Sequence, residues 1–468
     1  MPLSRRGFLR AGLGVSAAFL LPTTLDALMS RMASGASLTS RGYGPLAPDP
    51  QGLLDLPNGF DYQLLSTAIL NTDSDPRFSG RLSDGSPVPA RHDGMAAFEG
   101  AGGMTVLVRN HELDPTQKPI VDPQRVRPYD PVASGGTTTL WVDRDRRVAR
   151  SFASLSGTLR NCAGGSTPWG SWLSCEECTY MPGPKDPASF DRTPDVSKPH
   201  GYVFEVDAHA EGLVEPTPIA GMGRFYHEAV AVDPATGFVY LSEDRGDGLL
   251  YRYRPDVITR GTKKPHELRA GDLAKGGVLE ALAIGGRPSA KTQNWDTREY
   301  KIGERHRVSW LAIPSVEPET DMMRDPNDPD PDPLRRKPRT APTSTRAQGF
   351  QIGAAQFART EGMIYGKRAI YFCCTDGGHA RAGQVWELDL KRQEVRLVVE
   401  PDDRALMDGP DNSASRPTAI SSCARTAKTR TSSSASRRAA SATSSRAMRT
   451  TGASSPELAS HPMGGRCS

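Results

Sequence analysis

The sequence predicts an all-β chain, a β-propeller of about six blades with irregular loop insertions. Three observations predict it. Gly and Pro are abundant, at 46 and 39 of 468 residues, and aromatics make up only 7%. No long segment repeats apolar residues at helical spacing. Several segments instead share one plan of apolar alternation, an acidic or Gly-rich turn, and a second alternation, as in propeller blades or a large sandwich. A propeller fits better, because it does not require exact sequence repeats.

The chain opens with Ser4-Arg5-Arg6-Gly7-Phe8-Leu9, a weakly apolar run from Ala11 to Leu21, and the cleavable small-residue stretch Ala33-Ser34-Gly35-Ala36. Residues 1–36 therefore read as a twin-arginine export signal. The expected location is periplasmic or secreted, with the twin-arginine translocase as a partner during export. That route carries folded protein, which suits a cofactor loaded beforehand. No other apolar stretch is long enough to span a bilayer, so no stable membrane insertion is expected.

Residues 37–412 form the expected propeller domain. Gly136 to Val142 turns at Asp143-Arg144-Asp145 into Val148 to Leu155. Ala229 to Val232 turns at Asp233-Pro234-Ala235-Thr236-Gly237 into Phe238 to Leu241, where Pro fixes one turn torsion and Gly accepts positive φ. Gly383 to Leu390 followed by Glu394 to Val399 is a third hairpin. Residues 316–346, rich in Asp and Pro, cannot bury a core and read as an exposed insertion. From Ser413 to Ser468 aromatic residues vanish and Ser, Ala, Thr and Arg dominate, which reads as a disordered, aberrant tail.

Formal charge is +4, but nine Lys or Arg against Glu457 alone fall after Asn412, leaving the main body at −4. A basic partner is therefore not implied, and no nucleic acid is expected. Seven cysteines form no even disulfide framework. Cys175 and Cys178 have CxxC spacing without a second pair, a weak zinc signal. Cys373 and Cys374 read as small core side chains, and Trp169 and Trp172 as packing between blades.

The chemistry concentrates in residues 161–177, NCAGGSTPWGSWLSCEE, where a thiol, a Gly-Gly pair and two carboxylates sit together. Other pieces follow in series: Arg109-Asn110-His111-Glu112, Phe225-Tyr226-His227-Glu228-Ala229-Val230, Ser242-Glu243-Asp244, Phe357-Ala358-Arg359-Thr360-Glu361-Gly362, Thr375-Asp376-Gly377-Gly378 and Pro410-Asp411-Asn412. Taken together, and in this order from about Gly52 to Asn412, they resemble the PhoX-type alkaline phosphatases. That resemblance implies hydrolysis of phosphate monoesters on an iron and calcium cluster.

By similarity to that cluster, Cys162, Glu228 and Glu361 are candidate ligands of ferric iron, which wants anionic oxygen and tolerates thiolate. Calcium needs six to eight hard oxygens, more than one segment offers, so Glu112, Glu176, Glu177, Glu243, Asp244 and Asp376 are candidate contributors from separate blades. Adjacent carboxylates point to opposite faces of a strand, so one member of each pair is the stronger candidate. Arg359 stands two residues before Glu361, on the same face if the segment is a strand, and can grip a phosphate oxygen beside the metal. Arg359 and Cys162 are the candidate catalytic residues. His111 and His227 could donate to a phosphate or to a carboxylate ligand.

The expected function is an exported phosphatase acting as a monomer on phosphorylated small molecules. Two rivals are a calcium-dependent propeller hydrolase of lactones or phosphotriesters, and a non-catalytic propeller that binds a partner. The tail bears on this function. Back-translated one base out of register, Ser413 to Lys428 can encode LCVSPYGDLILCEDG, which looks like the strand-turn-strand ending of PhoX-type chains. The reading frame is therefore expected to have been lost just after Asn412, a change expected to impair the protein, and resequencing the gene there tests it.

Overall fold

The computed structural model describes residues 46–424, apart from 69–79, 125, 184–191, 194, 319–343, 405–406 and 417–418; from 413 onward only the backbone is described. The export signal at 1–36, the middle of the expected insertion and the tail beyond 424 lie outside the described residues.

The chain is all-β, and its strands run as successive antiparallel meanders. The first contains β1 (His92–Glu99), β2 (Thr105–His111), β3 (Gly135–Val142) and β4 (Val148–Thr158). β5 (Asn161–Ser166), β6 (Ser171–Glu176) and β7 (Val203–Asp207) form the second. The third runs through β8 (His227–Val232), β9 (Val239–Glu243), β10 (Gly248–Pro255), β11 (Gly277–Ile284) and β12 (Arg305–Ala312). The fourth is β13 (Thr360–Gly366), β14 (Ala369–Cys374), β15 (Gln384–Asp389) and β16 (Glu394–Val399), whose outer strand pairs with β12. A hairpin of β17 (Asn412–Arg416) and β18 (Ala419–Ala424) closes the described chain. That hairpin occupies the first residues of the segment read as an unstructured tail.

The first strands of the meanders pack side by side in ring order: β1 against β5, β5 against β8, β8 against β13, and β13 against β17. This is propeller geometry, with inner strands around a common axis. All three hairpins expected from the sequence are present, at β3–β4, β8–β9 and β15–β16. In the β8–β9 turn Gly237 takes φ +70° and donates to the Asp233 carbonyl at 2.8 Å, as the turn chemistry requires.

Apolar cores fill the spaces between neighbouring blades. Val106, Val108, Leu155, Trp172 and Phe204 join the first two, and Leu173, Val203, Phe225, Val230 and Tyr251 the second and third. Tyr240, Leu250, Leu282, Phe357, Phe372 and Trp386 join the third and fourth. Phe357 meets Phe372 and Trp386 edge-on, with ring centroids 5.2 and 5.5 Å apart, a geometry that adds about 1 kcal/mol per pair to area burial. Cys373 and Cys374 are buried core side chains of β14, as expected. Cys175 and Cys178 are buried free thiols in the second blade.

The C-terminal edge of the expected insertion belongs to the core, while Glu317 at the other edge is exposed. Ser344, Thr345 and Arg346 are buried at the start of α1 (Thr345–Gln351), and the Tyr202 hydroxyl donates to Glu317 at 2.7 Å. Composition misplaced the C-terminal boundary because the polar side chains there are bonded within the fold, Arg346 donating to buried Glu243 and to half-buried Asp247. No helix among the described residues is long and apolar enough to cross a membrane.

One irregularity repeats in four blades. β1 pairs with β2 at His92 and His111, then resumes at Met95 and Arg109. β5 and β6 skip in the same way between Asn161 and Gly164, β8 and β9 between His227 and Val230, and β13 and β14 between Thr360 and Met363. Each inner strand thus carries one extra residue near its start, a bulge that re-aims the side chain there. Small residues make room for it: a Cβ on Gly94 would lie 2.8 Å from the Cys162 carbonyl oxygen, and one on Gly165 2.0 Å from that of Val230. This is why a Gly-Gly pair follows Cys162.

Candidate metal centre

The bulges define the site. The second residue of each inner strand is Asp93, Cys162, Glu228 and Glu361 in turn, and Asp411 immediately precedes the fifth inner strand. The residues just after the second strands are Glu112, Glu177 and Asp244 in the first three blades, and Thr375 in the fourth. Both sets come to the same end of the propeller axis.

Two groups of donor atoms lie within 4.8 Å of one another: Cys162, Glu177 and Glu228, and Glu228, Glu361 and Asp411. Glu228 belongs to both. The Cys162 thiol donates to Glu228 Oε2 at 2.8 Å. Asn110 holds the Cys162 segment in place, donating through Nδ2 to the carbonyls of Cys162 and Ala163 at 3.1 and 2.7 Å.

Two guanidiniums face this anionic cluster. Arg359 donates through Nε and Nη2 to the two oxygens of Asp244 at 2.7 and 2.6 Å, and through Nη2 to Glu361 at 2.8 Å. Its backbone sits at φ +53°, an uncommon conformation for a residue with a Cβ. Arg160 bridges Glu112, Asp114 and Glu177 at 2.9, 3.1 and 3.0 Å.

The balance is negative, and the acid groups show it. Burial, reinforced by Glu361 and Glu177, holds the Glu228 carboxyl well above its ordinary range. Burial does the same to Glu361, with Asp244 and Asp411 adding to it. Asp93 is pushed up to about 7 by burial and by Glu112. Glu177 also rises to about 7 by burial, against the opposing charge of Arg160. Burial and Glu228 raise the Cys162 thiol well above its usual value. Like charges brought together out of water favour protonation unless a cation replaces the protons. The residues therefore fit a cation: sulfur with two carboxylates suits a transition metal, and the all-oxygen group suits a hard ion such as calcium.

Not every candidate from the sequence reaches this cluster. Glu177 and Asp244 do, while their neighbours Glu176 and Glu243 turn into the blades, as the alternation of a strand requires. Glu176 accepts from Leu159, Gly201 and Tyr202 backbone amides and from His200. Glu243 accepts from Leu249 N–H, Tyr251 and Arg346. Asp376 pairs with Arg381 at 2.7 Å in the β14–β15 loop. Glu112 meets the cluster through Arg160.

The two histidines are structural. His111 is buried between the Ala90 carbonyl and the Thr138 hydroxyl, and burial with Arg109 nearby holds it neutral, well below its ordinary value. His227 bonds the Gly223 carbonyl at 2.9 Å, packs on Phe225 and is pushed down to about 3 by burial. Neither presents a charged donor to a phosphate. Asp93, Asp411 and Arg160 were missed as site residues. Position relative to the inner strand is what unites Asp93 with Cys162, Glu228 and Glu361, a signal present in the sequence only once strand starts are known.

His200, also unforeseen, supports the wall of the site. It lies buried between Glu176 at 2.7 Å and Asp130 at 3.2 Å. Burial alone would lower its pKa, but Glu176 and Asp130 overcome this and raise it to about 9. A raised folded pKa contributes stability that is present in full below the unfolded value near 6.5 and is lost as pH rises through about 9. Urea midpoints are therefore expected to fall between about pH 7 and pH 10 in the wild type. His200→Gln is expected to be less stable by about 3 kcal/mol at pH 7 and to show little of that alkaline slope.

A propeller whose axial end gathers carboxylates and a thiol from successive blades defines a candidate metal centre of the hydrolase kind. The model of the family described as Alkaline phosphatase PhoX matches residues 41–429, and the chain belongs to that family. Among solved structures it is similar to Pseudomonas fluorescens PhoX in complex with vanadate, a transition state analogue. The identity is 16%, covering 76% of this chain and 78% of that one, with a TM-score of 0.49. No curated protein matches.

Proposed function

We propose that this chain is an exported phosphatase that hydrolyses phosphate monoesters of small molecules at an iron and calcium cluster. The observation that carries the reading is the pair of donor groups sharing Glu228, one with sulfur and one all oxygen. Cys162, Glu177 and Glu228 would hold iron, and Glu228, Glu361 and Asp411 calcium. Cations bound there supply Lewis acidity, withdrawing charge from a phosphoryl group and making water a better nucleophile.

The protein's own groups position the substrate. Asp244 fixes the Arg359 fork through two parallel bonds, which leaves Nη1 without a partner among the described residues. Nη1 can then donate to a phosphoryl oxygen and gather charge that develops on it. Arg160 does the corresponding work among the acids, cancelling charge between Glu112 and Glu177 and keeping their oxygens in place. A phosphate dianion could not approach these carboxylates unless cations offset them, so substrate binding and metal loading are coupled.

The test is to quantify iron and calcium in purified protein and to assay p-nitrophenyl phosphate before and after calcium chelation and replenishment. Bound iron with calcium-dependent, restorable hydrolysis is expected. Hydrolysis indifferent to calcium removal, or protein that binds neither metal, overturns the proposal.

A further inference from the structure

Beside Arg359 the structure builds a surface that the phosphoryl chemistry does not use. Arg359 is flanked on both sides by loops: its backbone N–H donates to the Arg245 carbonyl at 2.9 Å, and its carbonyl accepts from Thr375 N–H at 2.9 Å. Trp295, half-buried in the connection between β11 and β12, spans these same loops. Its Nε1 donates to the Asp376 carbonyl at 2.7 Å, and its ring edge lies 3.7 Å from where a Cβ on Gly246 would be. The Arg381 guanidinium lies over the indole, 3.9 Å from its centroid. Across the loop, Arg245 lies over the Tyr226 ring at 4.4 Å.

From this arrangement we infer that Trp295 and Arg381, with Tyr226 and Arg245 beside them, form a stacking shelf for the leaving group, selecting phosphate esters of flat ring systems such as nucleosides and aryl alcohols. The inference rests on the phosphatase reading and specifies the substrate class of that site. Charge pairing separates a ring from a second phosphate as the occupant. Arg381 is ion-paired with Asp376 at 2.7 Å, so its charge is already answered, while its side chain stays 44% exposed over the indole. Guanidinium and indole faces both stack on heteroaromatic rings, with about 1–3 kcal/mol at stake per ring. The loops that carry the shelf are bonded to the Arg359 backbone on both sides, at Arg245 and Thr375, which places it next to the residue assigned to the phosphoryl group.

Steady-state kinetics with adenosine 5′-monophosphate, phenyl phosphate and glycerol 2-phosphate test the inference in wild type, Trp295→Leu, Trp295→Phe and Arg381→Ala. For the two ring esters, KM is expected to rise about tenfold in Trp295→Leu and in Arg381→Ala with kcat nearly unchanged. Trp295→Phe, which keeps a ring but loses the bond to Asp376, is expected to retain most of the preference. Glycerol 2-phosphate is expected to be indifferent to all three changes. Equal losses for all three esters, or ring esters unaffected while glycerol 2-phosphate is hydrolysed, overturn the shelf and leave the phosphatase reading standing. A wild-type protein that hydrolyses none of the three overturns both.

Discussion

Glu228→Gln is expected to abolish metal loading and to lower kcat/KM for phosphate monoesters by about a thousandfold, equivalent to about 4 kcal/mol of transition-state stabilisation. The expectation follows from one carboxylate belonging to both donor groups. An amide keeps the shape but not the charge, so both groups weaken together. The same change is expected to act in the opposite direction on stability once metal is stripped. Glu228 then sits buried beside Glu361 and Glu177, which hold its carboxyl protonated or repel it when ionised. Removing it relieves that conflict.

Thermal melts with and without chelator distinguish the two effects. Wild type is expected to lose stability on stripping, and Glu228→Gln to be insensitive to the chelator and more stable than stripped wild type. The stripped protein has a pH signature as well. Asp93 and Glu177 are raised to about 7 from ordinary values of 3.8 and 4.5. Between those limits the folded chain holds protons that the unfolded chain releases, so stripped stability falls as pH rises from about 4 through about 7. Metal-loaded protein is expected to lack this decline. A stripped wild type that gains stability over that interval contradicts the electrostatic account.

Some of the residues that the structure brings together could be named from the sequence, for identifiable reasons. Cys162, Glu228 and Glu361 were named through the resemblance to PhoX-type chains, and the structure gives them one common place, the second residue of an inner strand in three blades. The rule that adjacent carboxylates face opposite ways separated Glu177 from Glu176 and Asp244 from Glu243, without saying which of each pair faces inward. What decides it is the end of the second strand: its last residue turns into the blade, and the next one enters the axial cluster.

Asp93 and Asp411 were harder. Neither is preceded by an apolar alternation that marks its strand, and their neighbours become close only when the ring forms. The Gly362 N–H meets the Asp411 carbonyl at 2.6 Å, a contact across 49 residues of sequence. The histidines show the converse failure. A His before a Glu looks chemical in sequence, but His111 and His227 precede the bulge or the turn and face buried carbonyls. Polar side chains near the site serve its walls as often as its centre, and only the bonding partners tell them apart.

Arg359→Ala is expected to lower kcat and kcat/KM together by about a hundredfold to a thousandfold, with iron and calcium content unchanged. Its fork already spends three bonds on Asp244 and Glu361, so what substrate gains is a donor held in fixed orientation, at no cost in reorganisation during reaction. Arg359→Lys is expected to recover little. An ammonium can pair with one of these carboxylates but cannot bond both oxygens of Asp244 while aiming a further N–H outward. Metal content decides the interpretation. If Arg359→Ala also strips the protein of metal, the guanidinium acts by holding Asp244 and Glu361 in place, and its assignment to the phosphoryl group fails. If metal stays and only KM rises, Arg359 binds ground state and transition state alike. A fall in kcat at constant metal and similar KM is the outcome that places its charge on the transferring phosphoryl group.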